Sequence, residues 1–114
     1  MTADTHHMID AAVLGAMKPG AILINCARGP VVEESALLAA LGSDHLGGAG
    51  LDVFEVEPPL QPTPFAAFHN VVLTPHMAPG TREGMAAKME DVCANIGRFF
   101  RGEALVDAVR LADN

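Results

Sequence analysis

The 114-residue sequence predicts an α/β fold built on a parallel sheet. Two observations carry that expectation. Short, continuous apolar runs alternate with longer stretches of helical periodicity, which is the pattern of strands joined by crossover helices. In addition, polar and charged residues stand just past the end of each apolar run, as in Asn25-Cys26-Ala27-Arg28, Asp52-Val53-Phe54-Glu55-Val56-Glu57 and Thr74-Pro75-His76. Open parallel sheets assemble their sites at the carboxyl ends of their strands.

From Thr5 to Met17, apolar residues at Met8, Ile9, Ala12, Val13, Ala16 and Met17 recur at helical spacing, and Lys18-Pro19-Gly20 supplies a stop. Ala21 to Asn25 is short and apolar throughout, which suits a strand buried on both faces. Val32 to Leu41 reads as a helix with Glu33 and Glu34 in its first turn, complementing the macrodipole, and Gly42 at its end.

Gly48 to Phe54 and Asn70 to Thr74 are the second and third strands. The loop between them holds Pro58, Pro59, Pro62 and Pro64 and is excluded from helix and central strand. After Pro79-Gly80, the stretch Thr81 to Phe100 carries a helical stripe of Met85, Met89, Val92, Cys93, Ile96, Phe99 and Phe100, ending before Gly102. Three strands leave two sheet edges unpaired, so a homodimer or domain-swapped oligomer is expected.

Composition narrows the function classes. A chain of this size buries roughly 65% of its unfolded surface, enough for one modest core. Trp and Tyr are absent and Phe occurs five times, so that core must be aliphatic, with the methionines as filler. A net charge of −7, with seven scattered basic residues, argues against nucleic acid and anionic membranes as partners. Cys26 and Cys93 are far apart and show no metal-ligand spacing, so no metal site or disulfide is expected. No basic segment followed by an apolar run opens the chain, and no run nears the ~20 residues that span a bilayer. The expected setting is the cytoplasm.

The segments from Met17 to Gly29, Gly48 to Pro58 and Asn70 to His76 together resemble the D-isomer-specific 2-hydroxyacid dehydrogenases, a family that includes phosphoglycerate dehydrogenase and glyoxylate or hydroxypyruvate reductases. The resemblance runs from about Thr2 to Val109. It implies half of a Rossmann-type parallel sheet, about three strands with flanking helices. The 114 residues then form a single domain, the C-terminal half of a nucleotide-binding domain. By that resemblance Arg28 binds the substrate carboxylate, His76 exchanges the proton at the carbinol oxygen, and Glu57 holds the imidazole. Asp52 would bond the nicotinamide carboxamide of NAD or NADP, with Cys26 and Ala27 lining the cofactor through their backbone.

The chemistry has a physical logic. Hydride transfer to a ketone builds negative charge on oxygen that an imidazolium quenches, and a neighbouring carboxylate favours the protonated ring. The planar fork of Arg matches a carboxylate bidentately.

The family's glycine-rich phosphate loop and its substrate domain have no counterpart in these residues, so weak or absent cofactor binding is expected. Gly47-Gly48-Ala49-Gly50 leads into a strand and reads as a close-packing cluster. Pro79 stands where the family has a small residue, which removes an N–H from that loop.

Other readings remain open. Glu55 and Glu57, two apart on an extended segment, would project to the same side with Cα atoms roughly 6.6 Å apart. With Asp52 they form the acidic set of a cofactor-independent hydrolase such as a glycosidase. A non-catalytic oligomerising fragment is the third reading. His6 and His7 read as a solvated pair, His45 and His69 as surface residues, and Cys26 as a buried, inert thiol.

Overall fold

The computed structural model describes residues 2–59, 62–78 and 80–108. The chain divides into two compact units, residues 1–78 and 79–114. The first holds the sheet: α1 (Ala11–Ala16), β1 (Ile22–Asn25), α2 (Glu34–Gly42), β2 (Gly48–Leu51) and β3 (Val71–Leu73). The second holds α3 (Arg82–Phe100).

The sheet has the order β1-β2-β3, with both pairings parallel. Its register aligns Leu23 with Ala49 and Val71 in one row and Asn25 with Leu51 and Leu73 in another. Because side chains alternate along a strand, these two rows face the same way. They pack with Leu14 of α1 and Ala36, Leu37 and Leu41 of α2. Phe65, from a 3-10 turn over Pro64–Ala67, closes this core and is 1% exposed. That turn places a short helical segment inside the proline-rich loop, where Pro64 occupies the first turn and needs no N–H.

The intervening row of Ile24, Gly50 and Val72 faces away from the core. Ile24 is 71% and Val72 66% exposed, so the expectation of strands buried on both faces is corrected. The helices of this unit supply the core on one face only. Three apolar residues in a row look alike in sequence whether one face is covered or two.

The expected helix from Thr5 to Met17 is also shorter. Asp10 caps α1 by accepting from the N–H of Val13. Before it, Ala3–Thr5 form a 3-10 turn, and Ile9 bridges Val32 in parallel. An Asp cap therefore interrupted what the periodicity joined. The second strand ends at Leu51, although Val53 and Phe54 beyond it are buried.

Glycines shape two close approaches. A Cβ on Gly47 would lie 2.4 Å from the carbonyl oxygen of Gly20, and one on Gly48 would lie 2.4 Å from that of Asn70. These glycines serve backbone packing, as their position before a strand implied.

In the second unit, Thr81 caps α3 by accepting from Gly84, and Gly102 leaves the helix with φ of +69°. Asn95 clamps the following segment, donating to the carbonyl of Val106 and accepting from its N–H. The methionines expected as core filler are exposed here: Met85 and Met89 stand about half accessible, with Ile96 and Phe99 on the same exposed stripe. Val109 and Pro79 lie outside the described residues. No helix among the described residues is long and apolar enough to cross a membrane.

The core makes a direct stability prediction. Leu37 is 1% exposed and belongs to the core cluster that α2 shares with β2, so Leu37→Ala should cost about 2–5 kcal/mol of unfolding free energy. Urea unfolding followed by circular dichroism checks this, the expected result being a lower midpoint at unchanged slope.

Candidate active site

The carboxyl ends of β1, β2 and β3 lie side by side and carry Asn25–Arg28, Asp52–Glu57 and Thr74–Ala78. Each segment is held by its own polar contacts. Asn25 is buried; its Oδ1 accepts from the N–H of Ala27 and its Nδ2 donates to the carbonyl of Arg28. This Asx turn ends the strand and turns Cys26, Ala27 and Arg28 to the surface. Cys26 is therefore exposed, against the expectation of a buried thiol.

Asp52 is 2% exposed and sits between the ends of β2 and β3. Its Oδ1 accepts from the Thr74 hydroxyl at 2.5 Å and the Met77 N–H at 2.8 Å. Its Oδ2 accepts from the Ala78 N–H at 2.7 Å. The Thr74 hydroxyl, ahead of these two amides, holds the carboxyl below the ordinary aspartate value of 3.8. Burial opposes that shift without cancelling it.

The two amides held by Asp52 immediately follow His76. That residue has φ of +52°, the left-handed region that a branched side chain avoids. Such a conformation costs of order 1–3 kcal/mol and persists where the surroundings enforce it. Asp52 on one side and the His76 N–H to Thr74 carbonyl bond on the other supply that enforcement.

So kinked, His76 places Nδ1 2.7 Å from Oε2 of Glu57. An ionised carboxylate only accepts, so Nδ1 carries the proton and Nε2 remains for other partners. Oε1 of Glu57 accepts from the Phe54 N–H at 3.0 Å. The His76 contact, then the Phe54 amide, hold Glu57 below the ordinary glutamate value of 4.5. Arg28 adds a weaker attraction across an open hollow lined by Arg28, Gly29, Pro30, Phe54, Glu55 and Glu57. A second hollow, between Phe54, Glu57, Pro58, Pro59, Pro75 and His76, lies on the other side of Glu57. Among the described residues no carboxylate lies within ion-pair distance of Arg28.

Arg28, Glu57, His76 and Asp52 thus lie at one end of the sheet, with Cys26 and Ala27 beside Arg28. Glu55 departs from expectation. Its Oε1 accepts from the Glu34 N–H and pairs with Nε2 of His7 at 2.8 Å, while Glu57 faces His76. The segment bends after Leu51 instead of running extended, so alternation does not hold. Glu55 and Glu57 have separate hydrogen-bond partners, although both line the hollow beside Arg28. His7 is likewise not a merely solvated histidine, and His45, half-buried, has Nε2 3.2 Å from the Leu14 carbonyl. No group of three or more His, Cys, Asp or Glu suited to a metal occurs among the described residues.

With this geometry in view, residues 1–78 match the model of the D-isomer specific 2-hydroxyacid dehydrogenase NAD binding domain. The chain belongs to that family. It is 49% identical over 90 residues to glyoxylate/hydroxypyruvate reductase B of Shigella boydii, covering 76% of this chain and 28% of that protein. A D-isomer specific 2-hydroxyacid dehydrogenase from Xanthobacter autotrophicus, solved with NADPH and MES, superposes with a TM-score of 0.81 at 41% identity, covering 96% of this chain and 45% of the other. The NADPH-dependent glyoxylate/hydroxypyruvate reductase of Sinorhizobium meliloti, solved with NADP and sulfate, gives 0.82 at 36% identity, covering 96% and 35%. The chain spans about a quarter to a third of the length of the curated relatives it matches.

The exposed turn at Cys26–Arg28 and the segment from Thr74 to Ala78 flank the carboxyl ends of the strands, where an open parallel sheet binds its ligands, so the residues present fit one end of a dinucleotide. Gly29 opens a 3-10 turn, but a Cβ there would meet the Phe54 carbonyl, so its space is filled by protein backbone.

The depressed carboxyl of Asp52 yields a pH prediction. A group whose folded value lies below its unfolded one stabilises the fold above the unfolded value, and that contribution is lost as pH falls through the folded value. Asp52→Asn should therefore be less stable than the parent at neutral pH, with the difference shrinking below pH 3.8. Unfolding midpoints measured from pH 7 to pH 2 check this, since a constant difference across that range contradicts it.

Proposed function

We propose that this chain carries the proton-transfer and carboxylate-binding groups of an NAD(P)-dependent oxidoreductase acting on small 2-hydroxy or 2-keto acids. The observation that supports this best is the 2.7 Å contact between His76 and Glu57, with Arg28 on the adjoining strand end and clear of any carboxylate among the described residues.

The division of labour follows from donor chemistry. When bound, the dinucleotide supplies or takes the hydride. Arg28 holds the substrate carboxylate through its fork of N–H groups, setting the carbonyl carbon beside the strand ends. Nε2 of His76 delivers a proton to the carbonyl oxygen as charge develops there, and takes it back in the reverse direction. Glu57 keeps the ring in the Nδ1–H tautomer and balances the charge of the imidazolium. Asp52, by holding the Met77 and Ala78 amides, keeps the ring aimed. Its Oδ2 accepts one bond and has a lone pair left for the nicotinamide carboxamide.

The bare sheet face and the outer edge of β1 favour a second, non-exclusive reading, in which the chain associates with another copy through that edge. Its mass in solution by sedimentation tests this, with a monomer at micromolar concentration counting against it.

Calorimetric titration of the purified chain with NADH and NADPH, paired with an assay of NADH oxidation on glyoxylate, pyruvate and hydroxypyruvate, tests the principal reading. Binding at millimolar cofactor and turnover that falls ~10²–10⁴-fold in His76→Ala are expected. Neither binding nor turnover at those concentrations would reject it for the chain acting alone.

A further inference from the structure

Glu57 and Arg28 belong to different loops, and the chemistry above needs the two at a fixed separation. Three residues outside the reacting set join those loops. Glu55 and Glu34, 21 positions apart, exchange hydrogen bonds: the Glu34 N–H donates to Oε1 of Glu55 at 3.1 Å, and the Glu55 N–H donates to Oε1 of Glu34 at 2.7 Å. Glu34 opens α2, whose preceding residue, Glu33, makes no side-chain cap. Glu55 thus does from a distant loop what an N-cap ordinarily does locally, satisfying an orphan amide and placing negative charge at the positive end of the helix.

His7 completes the brace from a third element. Its Nε2 lies 2.8 Å from Oε1 of Glu55, and its backbone N–H donates to the carbonyl of Pro30 at 2.8 Å. Pro30 follows Arg28-Gly29 directly. One residue therefore holds the Arg28 turn by its backbone and the Glu57 loop by its side chain. It does so with φ of +50°, a conformation kept at a cost. At the back of the same junction Gly29 lies against the Phe54 carbonyl so closely that no side chain fits.

We propose that His7, Glu34 and Glu55 are positioning residues that lock the Glu57 loop to the Arg28 turn and thereby set the His76–Glu57 contact. This rests on the reading of His76 and Glu57 as the proton-transfer pair. None of the three touches His76, so they act through the backbone between Phe54 and Glu57. The Phe54 N–H, which donates to Glu57, immediately precedes the Glu55 N–H held by Glu34.

Proton and nitrogen NMR of the His76 ring, together with a carbon-detected titration of the Glu57 carboxyl, test the proposal on the 114-residue chain without needing turnover. Glu34→Ala removes the acceptor for the Glu55 amide, and His7→Asn keeps a residue that tolerates positive φ while shortening the side chain. Both should lose the hydrogen-bonded Hδ1 signal of His76 and raise the Glu57 midpoint toward that of an ordinary glutamate, while amide dispersion shows the fold retained. Glu34→Gln preserves the acceptor and should restore both signals. If either folded variant keeps the parent His76 signal and Glu57 midpoint, the positioning role is overturned, and His7→Asn decides alone if Glu34→Ala fails to fold. Absence of the Hδ1 signal in the parent would instead overturn the pairing itself, and with it both readings.

Discussion

The candidate site depends on a buried carboxylate at the end of the central strand. Asp52 is the point at which β2 takes hold of the segment leaving β3, through one hydroxyl and two successive amides. Buried charge is costly unless fully bonded, and three donors meet that requirement here. Its structural consequence is local: the chain turns sharply at His76 and stays turned. A polar side chain is better suited to this than an apolar one, because it binds amides that have no strand partner to satisfy them.

The three strand ends then differ in how they are secured. β1 ends in an Asx turn made by Asn25 within its own segment, and the residues after it are tied to the N-terminal segment by the His7 N–H on the Pro30 carbonyl. The segment after β3 depends on Asp52. The one after β2 depends on α2, through the exchange of bonds between Glu34 and Glu55, and on the N-terminal segment through His7. Arg28, His76 and Glu57 sit respectively on these segments, so each of these side chains is held by a different set of supports. Glu57 has the longest chain of dependence. That is consistent with its having two bonds of its own, to His76 and to the Phe54 amide.

Much of this was legible in the sequence because strand ends advertise themselves. An apolar run followed at once by Asn, Asp or Thr and then by a charged residue marks a strand end and the place of a site, and Arg28, Asp52, Glu57 and His76 stand there; their individual roles come from the family resemblance. The supports were harder to see. Glu34 reads as an ordinary acidic residue in a helix's first turn, and nothing local reveals that its partner is 21 residues away. Period-two alternation carried past Leu51 sets Glu55 beside Glu57, but the strand has already ended there and Glu55 bonds to Glu34 and His7 instead. His7 was hidden by a run of helical periodicity, although Asp10, three residues before Val13, was a cap signal that divides that run.

The apolar surfaces show a different limit. Ile24 and Val72 on the sheet, and Met85, Met89 and Ile96 on α3, have the patterning of buried residues and are exposed. Periodicity reports which side chains share a face, and hydrophobicity reports that the face favours cover; neither reports whether the cover lies within the same 114 residues. The core under Leu14, Leu37 and Phe65 is complete without those faces. The side of the sheet that is packed also bears α2, whose first residue anchors the Glu57 loop. The site's supports and the completed core therefore lie in the same unit, residues 1–78, which is also the span matched by the family model. That coincidence gives a physical reason for the local geometry to hold while a neighbouring face stands bare: every bond that aims His76, Glu57 and the Arg28 turn begins and ends inside that unit.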